Sequence, residues 1–393
     1  MKVALVHDWL TINGGAEKVL ESLLKLYPQA DVFTLVDFLP ESQRGWLKNT
    51  KVTTSFIQKL PFAKSKYTHF FPLFPYAIEQ FDLTGYDVVI SSSYCAAKGV
   101  IIGPRQVHVS YCHSPARYAW DLQTQYLKES GLSKGFVSGV ARYFLHKFRN
   151  WDLRSSFGVD EFIANSGFIK KRIYKCYKRK AHVIYPPVNL DRFTLEHNKD
   201  NYYLAASRLV PYKRFDIIVD AFKQMPDRYL KVIGSGPEHK RLIEMAEGCP
   251  NIEILGFVDD AVMVESMRKA KAFVFAAEED FGIVSVEAQS CGTPVIAYGK
   301  GGSLETVSEG VSGLFFPEQT ASAVIAAVNE FEEQDFPAEQ VNGNAMKFSE
   351  AAFHENIEKV VQKALDDNDV IEIYNGGSAY DLRGHNGAPT LKH

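Results

Sequence analysis
The stretch Glu278-Glu279-Asp280-Phe281-Gly282-Ile283-Val284-Ser285-Val286-Glu287-Ala288 joins an acidic loop to what reads as a helix start near Gly282 or Ile283. Glu279 falls in the loop and Glu287 about one turn into the helix. Carboxylates in those places suit sugar hydroxyls, which need acceptors for their O–H donors. Free amides at the helix start suit a diphosphate or a sugar oxygen. Taken alone, acidic loop residues are more often simply solvated. A second group, Ser207-Arg208-Leu209-Val210-Pro211-Tyr212-Lys213, sets two cations five positions apart across a proline-bearing turn. A guanidinium fork and a compact ammonium make a good pair for one diphosphate; exposed loop cations are the plain alternative. His113, in Tyr111-Cys112-His113-Ser114-Pro115, leaves a strand end, where a side chain projects toward a ligand crevice or merely lines the surface. Gly14 and Gly15 follow the first strand and open a helix, so their backbone can approach a phosphate or serve an ordinary turn. The spacing G-x-G-x-x-G of a dinucleotide site is absent there.

These residues need elements that bring them together. Apolar, β-branched runs recur at 3–6, 32–36, 88–90, 107–111, 162–164 and 183–185, then at 202–205, 229–233, 252–255, 272–275, 294–297 and 313–316. Between many of them lie helical periodicities, at 16–26, 215–222, 238–246 and 262–270. Continuous apolar runs alternating with amphipathic helices predict parallel sheets covered on both faces, and the pattern occurs twice. The expected class is therefore α/β, with two Rossmann-like, doubly wound domains facing a central cleft and ligands beyond the carboxyl ends of the strands. Pro186-Pro187 and the polar stretch after them place the domain boundary near residue 195. The expected units are 1–195, 196–349, a helix over 350–365 crossing back to the first domain, and a tail over 366–393, rich in Asp, Gly and Asn.

A chain of 393 residues suits two domains, and 46% hydrophobic with 23% charged residues is a globular balance. The five cysteines are scattered without C-x-x-C spacing, which reads as reduced thiols and neither a disulfide framework nor a zinc site. The opening Met1-Lys2-Val3-Ala4-Leu5-Val6-His7-Asp8 does not read as a secretory signal, and no run approaches the length of a membrane span. Residues 1–190 carry a net charge of +11 and the remainder −14. Such asymmetry fits an anionic partner for the first half, or an unevenly charged solvated surface.

With Phe281-Gly282 and Glu287-Ala288 in register, Glu279 and Glu287 resemble the E-x7-E motif of retaining glycosyltransferases of family 4, which have the GT-B fold. The likeness covers most of residues 1–365. It includes Gly14-Gly15-Ala16-Glu17, Asn165-Ser166, Pro186-Pro187-Val188, Ser207-Arg208-Leu209 with Lys213, Gly234-Ser235-Gly236-Pro237 and Gly256-Phe257-Val258. Jointly and in order these are specific; singly they are not. His7-Asp8-Trp9-Leu10 and the run from Tyr111 to Tyr118 are similar to bacterial mannosyltransferases that extend lipid-linked oligosaccharides for exopolysaccharide or O-antigen, commonly from GDP-mannose. Ser285 departs from relatives that often have proline there.

The resemblance implies a role for each residue. Arg208 and Lys213 would hold the donor phosphates and Glu287 the ribose hydroxyls. Glu279 would touch the transferred sugar, and the backbone of Phe281, Gly282, Ile283 and Val284 its hydroxyls or the diphosphate. The backbone around Phe257 and Val258 would meet the base. His113 would lie beside the reacting carbon, and Gly14 and Gly15 would approach the diphosphate. Family members retain anomeric configuration and need neither a bound metal nor a cofactor. Cations and helix amides would stabilise the departing diphosphate instead. The implied partners are GDP-mannose and a glycan acceptor, of polyprenyl-diphosphate-linked type, met at the inner face of the cytoplasmic membrane.

Residues 55–82 hold eight aromatics interleaved with Lys59, Lys64 and Lys66, and residues 170–180 form a second basic–aromatic cluster. Such composition suits an anionic membrane surface or, for 55–82, a packed aromatic lid. Nucleic acid is not expected, because no recognised nucleic-acid module accompanies the clusters. Rival functions are a UDP-sugar-dependent transferase, an epimerase or phosphorylase on the same architecture, and a non-catalytic sugar-nucleotide-binding partner of a membrane synthase.

Overall fold
The computed structural model describes residues 1–279 and 281–369, with the side chains of Glu129 and Asp369 left aside. The chain divides into two compact units. One comprises Met1–Ala164, Lys170–His182 and the described residues from His354 onward; the other comprises Asn165–Ile169 and Val183–Phe353. The main passage into the second unit comes at Val183, ahead of Pro186-Pro187 and short of the residue 195 boundary read from the sequence.

The first sheet contains β1 (Val3–His7), β2 (Asp31–Thr34), β3 (Val52–Thr54), β4 (Val88–Ser93), β5 (Val107–Cys112), β6 (Glu161–Ala164) and β7 (Ala181–Val183). Their spatial order is β3-β2-β1-β4-β5-β6-β7. The second contains β8 (Tyr203–Ala206), β9 (Leu230–Ile233), β10 (Ile252–Gly256), β11 (Ala272–Phe275), β12 (Val295–Tyr298) and β13 (Gly313–Phe316), in the order β10-β9-β8-β11-β12-β13. The pairings of β1 with β2 and β4, and of β11 with β8 and β12, are all parallel. Two parallel, doubly wound Rossmann-like sheets make this an α/β protein of the GT-B kind. The strand order reverses between β1 and β4 in one sheet and between β8 and β11 in the other.

Both faces of the second sheet are covered. Tyr203 and Ala205 of β8, with Ala272 and Val274 of β11, join one apolar cluster; Leu204, Ala206, Phe273 and Phe275 join another on the opposite face. That alternation explains why the strands read as unbroken apolar runs. Truncating a wholly buried ring such as Phe273 to alanine would cost about 3–5 kcal/mol. In the first unit, Ala4, Val6, Phe33 and Val89 pack with Phe74, Phe81 and Phe148.

Three elements differ from expectation. β3 was not legible, because Val52-Thr53-Thr54 is three half-buried residues at the sheet edge. The last strand of the first sheet ends at Val183, where 183–185 was expected, because the prolines that follow cannot continue a ladder. The helix expected over 350–365 runs on, as Glu350–Asp369, into the segment read as a tail. Gln362 donates to Asp366 (2.8 Å) and Lys363 pairs with Asp367 (3.2 Å), both four residues apart, which supports that extra turn. The rest of the expected tail, from residue 370, lies outside the described residues.

Of the aromatics in 55–82, Phe74 and Phe81 are buried, and Tyr67, Phe70 and Phe71 pack half-buried against the same core. Phe56, Phe62 and Tyr76 are exposed, as are Lys59, Lys64 and Lys66. Most of that segment is a packed aromatic layer. The 21-residue helix Gly135–Ser155 was not anticipated.

Candidate functional site
In the second unit, the loops leaving β8, β9 and β10 converge through their backbones. Ser207 N donates to Ile233 O (3.1 Å), Leu209 N to Ser235 O (2.9 Å) and Gly234 N to Gly256 O (2.8 Å). A side chain on Gly234 would lie 1.8 Å from the Ser207 carbonyl oxygen, and one on Gly236 would lie 2.2 Å from that of Leu209. Only glycine permits that approach. The Gly234-Ser235-Gly236 turn therefore sets the loop that carries Arg208. Arg208 itself is exposed. Phe257, directly after Gly256, is 81% exposed, while Val258 packs against the core.

Lys213 ends the short turn Pro211–Lys213 after β8 and is buried. Its ammonium forms an ion pair with the Glu279 carboxylate, which follows β11. The pair thus spans the point where the strand order reverses, the place where open parallel sheets bind ligands. Burial pushes the Lys213 ammonium down to about 8, and the neighbouring carboxylate acts in the opposite sense, favouring its charged form. Arg208 and Lys213, paired by the sequence reading, sit in different surroundings: one in solvent, the other already neutralised.

The Glu279 backbone is clamped from the loop after β12. Gly302 N donates to Glu279 O (2.7 Å), and a side chain on Gly301 would come within 2.4 Å of that oxygen. Phe281 turns its ring inward, stacking on Tyr185 (5.6 Å) and meeting Phe348 edge-on (5.5 Å). Gly282 caps the helix Ile283–Ser290 with φ 83°, so Ile283 and Val284 supply the first free amides. Glu287 is half-buried one turn further on. Ser285 lies inside that helix, not at its cap, and its buried hydroxyl has no hydrogen-bond partner among the described residues.

In the first unit the reversal point is occupied by Asp8. Its buried carboxylate accepts from the backbone N–H groups of Tyr94 (2.7 Å), Cys95 (2.9 Å), Ala96 (2.6 Å) and Ala97 (2.7 Å), tying the end of β1 to the turn after β4. Beside it, His113 Nε2 lies 2.8 Å from Ser92 Oγ, and that hydroxyl is 3.2 Å from His7 Nδ1. His7 Nε2 is 3.6 Å from Glu17, whose carboxylate accepts from Gly14 N (3.0 Å). Glu17 stands three residues into the helix Gly15–Leu26, the reciprocal position of a capping box. His113, Ser92 and His7 thus form one polar run, and Glu17 binds the Gly14 amide beside it. Burial, helped by His7, pushes the His113 imidazolium down to about 3, so the ring is neutral near pH 7.

Asp8, Ser92, His7 and Glu17 were not read as site residues. Their signals were a lone acid after an apolar strand and a glutamate three positions past Gly14. Glu305 was also missed; it accepts from Gly167 N (2.6 Å) and Phe168 N (3.0 Å) and from the Tyr185 hydroxyl (3.3 Å). Nothing local in the sequence marks that role.

Residues 13–192 match glycosyltransferase family 4, and residues 188–355 match the glycosyl transferases group 1. An uncharacterised glycosyltransferase of Methanocaldococcus jannaschii is 30% identical over 214 residues, 53% of this chain and 60% of that one. A GDP-mannose-dependent monoacylated alpha-(1-6)-phosphatidylinositol monomannoside mannosyltransferase of Corynebacterium glutamicum is 36% identical over 115 residues, 26% of this chain and 30% of that one. The chain therefore spans less than two thirds of either relative's own length. Among solved structures, Anabaena HepE in complex with UDP superposes with a TM-score of 0.68 at 20% identity, covering 92% of this chain and all of that one. At that identity the likeness concerns the fold.

Proposed function
We propose, from the premise that residues 13–192 form a family 4 glycosyltransferase domain and residues 188–355 a group 1 glycosyl transferase domain, that the chain moves a hexose from a nucleotide sugar to a glycan acceptor. The donor we assign is GDP-mannose, the outcome retention of configuration, and the acceptor a polyprenyl-diphosphate-linked oligosaccharide in bacterial polysaccharide assembly. The observation that carries the reading is the Lys213–Glu279 pair at the reversal point of the second sheet.

A diphosphate arriving there, carrying more charge than one carboxylate, would compete for the Lys213 ammonium. Arg208 would add its fork from the solvent side. Glu279, released, would be free to accept from a hydroxyl of the sugar as its bond to the diphosphate breaks. The amides of Ile283 and Val284 would stabilise charge developing on the leaving group. Glu287 would hold the ribose, and the backbone at Phe257 and Val258 the base. An acceptor of this kind is carried by a membrane, so an anionic bilayer surface belongs to the same reading.

The test is a thermal-shift panel of GDP, UDP and ADP sugars, followed by turnover with a competent acceptor. A ligand at 100 times its dissociation constant stabilises by about 2.7 kcal/mol, enough to rank donors. GDP-mannose is expected to give the largest shift and to turn over. Turnover with a UDP-sugar and none with GDP-mannose would replace the donor assignment. Donor binding without turnover under any condition would favour the non-catalytic partner.

A further inference from the structure
The helix Gly135–Ser155 has two apolar faces, and the first unit covers one. Ser138, Phe148 and Asp152 are buried, with Ala141, Leu145 and Trp151 half-buried among them, at the three-to-four-residue spacing of a core-facing stripe. Phe136, Val140, Tyr143 and Phe144 recur at similar spacing on the other side. All four are exposed, Phe136 at 87%. Four aligned apolar side chains in solvent form a patch; they are not scattered single hydrophobics.

Along this stretch of chain the charges on the patch side have one sign. Lys134 precedes the helix, Lys147 continues the stripe with its ammonium 5.6 Å from the Tyr143 ring, and Arg154 lies two turns further along the same side. The one acid within 134–155, Asp152, faces inward and is neutralised by Lys98. A second copy seated stripe to stripe would oppose like charges. An anionic surface complements both the rings and the lysines. No helix among the described residues is long and apolar enough to cross a membrane, so the helix would lie in the interface plane.

We propose that this outward face is where the chain seats on an anionic lipid bilayer, with its aromatic and aliphatic side chains at the headgroup–acyl boundary and Lys134 and Lys147 among lipid phosphates. The inference deepens the membrane-borne-acceptor reading but stands on this helix alone. It also moves the contact away from residues 55–82, most of whose aromatics are packed in the core.

The experiment uses the full chain with vesicles of equal phosphatidylglycerol and phosphatidylcholine, and with phosphatidylcholine alone, read by co-sedimentation. The chain is expected to bind the anionic vesicles, less so as salt rises, and to leave neutral ones largely free. Phe136→Asp with Phe144→Asp, and separately Lys134→Glu with Lys147→Glu, are expected to weaken binding on the order of tenfold or more. Phe62→Asp, an exposed aromatic elsewhere, should bind as the parent does. In Phe136→Trp, emission should shift to the blue on adding anionic vesicles. The substituted side chains are exposed, so circular dichroism and the donor-induced thermal shift should stay unchanged, which separates this inference from the donor reading. Unchanged sedimentation of either double variant overturns the proposal, as does a parent chain that binds no vesicle. Concentration-dependent self-association abolished by Phe136→Asp with Phe144→Asp also overturns it, assigning the face to a second copy.

Discussion

Each unit puts a carboxylate where its strand order reverses, and the two are held in opposite ways. Asp8 in the first unit is buried and accepts four backbone N–H bonds, leaving little capacity for a ligand. Glu279 in the second pairs with the Lys213 side chain and is held through its own backbone oxygen by Gly302. A carboxylate bound by amides of its own chain is part of the architecture, because no ligand can displace a backbone. A carboxylate bound by one lysine can exchange that partner for a diphosphate. The same residue class at the two reversal points, after β1 in one sheet and after β11 in the other, thus serves structure in one unit and, on our proposal, chemistry in the other.

The comparison breaks most visibly at Asp8. Asp8→Ala orphans four buried amides and should destabilise the first unit by about 3–5 kcal/mol, read by urea unfolding, with any loss of donor binding following the loss of fold. A variant of unchanged stability that cannot bind donor would assign Asp8 to the ligand and sink the contrast. Glu279→Ala should weigh on the chemistry instead, lowering kcat on the order of 10²-fold, about 2.7 kcal/mol, in addition to the stability lost by leaving the buried Lys213 unpaired. Steady-state kinetics with the true donor, after circular dichroism, checks it.

Glu287 sharpens the picture inside the second unit. Binding ribose alike in ground and transition states, it should affect donor affinity by about 1–3 kcal/mol with little change in kcat. If Glu287→Ala were the kcat variant and Glu279→Ala only raised KM, the division of roles would be reversed.

The smallest effect is acid sensitivity of the first unit. His108, bonded to Ser91 and Gly158, is pushed down to about 4 by burial, and His113 to about 3. Both take up protons more readily unfolded, near 6.5, than folded. Each therefore contributes stability that is complete above pH 6.5 and is lost as pH falls toward the folded values. At pH 5 the first unit should have lost about 1–2 kcal/mol per histidine, less for the half-buried His113. Amide exchange at pH 7 and 5 should show β4 and β5 losing protection before β8 and β11. His108→Gln should flatten the trend; a trend unchanged in that variant would place the acid sensitivity elsewhere.

The sequence by itself determined the two parallel sheets, because buried strands must be apolar on both faces and the helices between them on one. It also offered Glu279, Glu287 and Lys213 as candidates by type and place, because helix starts and turns after strands restrict residue type locally, while the Gly234 turn stood out only through the family likeness. It did not reveal β3, whose three residues carry too little pattern, nor that Phe281 faces inward, which depends on Tyr185 and Phe348, residues distant in the chain. The grip of Asp8 on residues 94–97, the run from His113 through Ser92 to His7 and the clamp of Glu305 on Gly167 were decided by tertiary structure alone. A carboxylate's type allows many partners. Only folding, which brings residues 86 and 138 positions apart into hydrogen-bonding distance, selects which one it keeps.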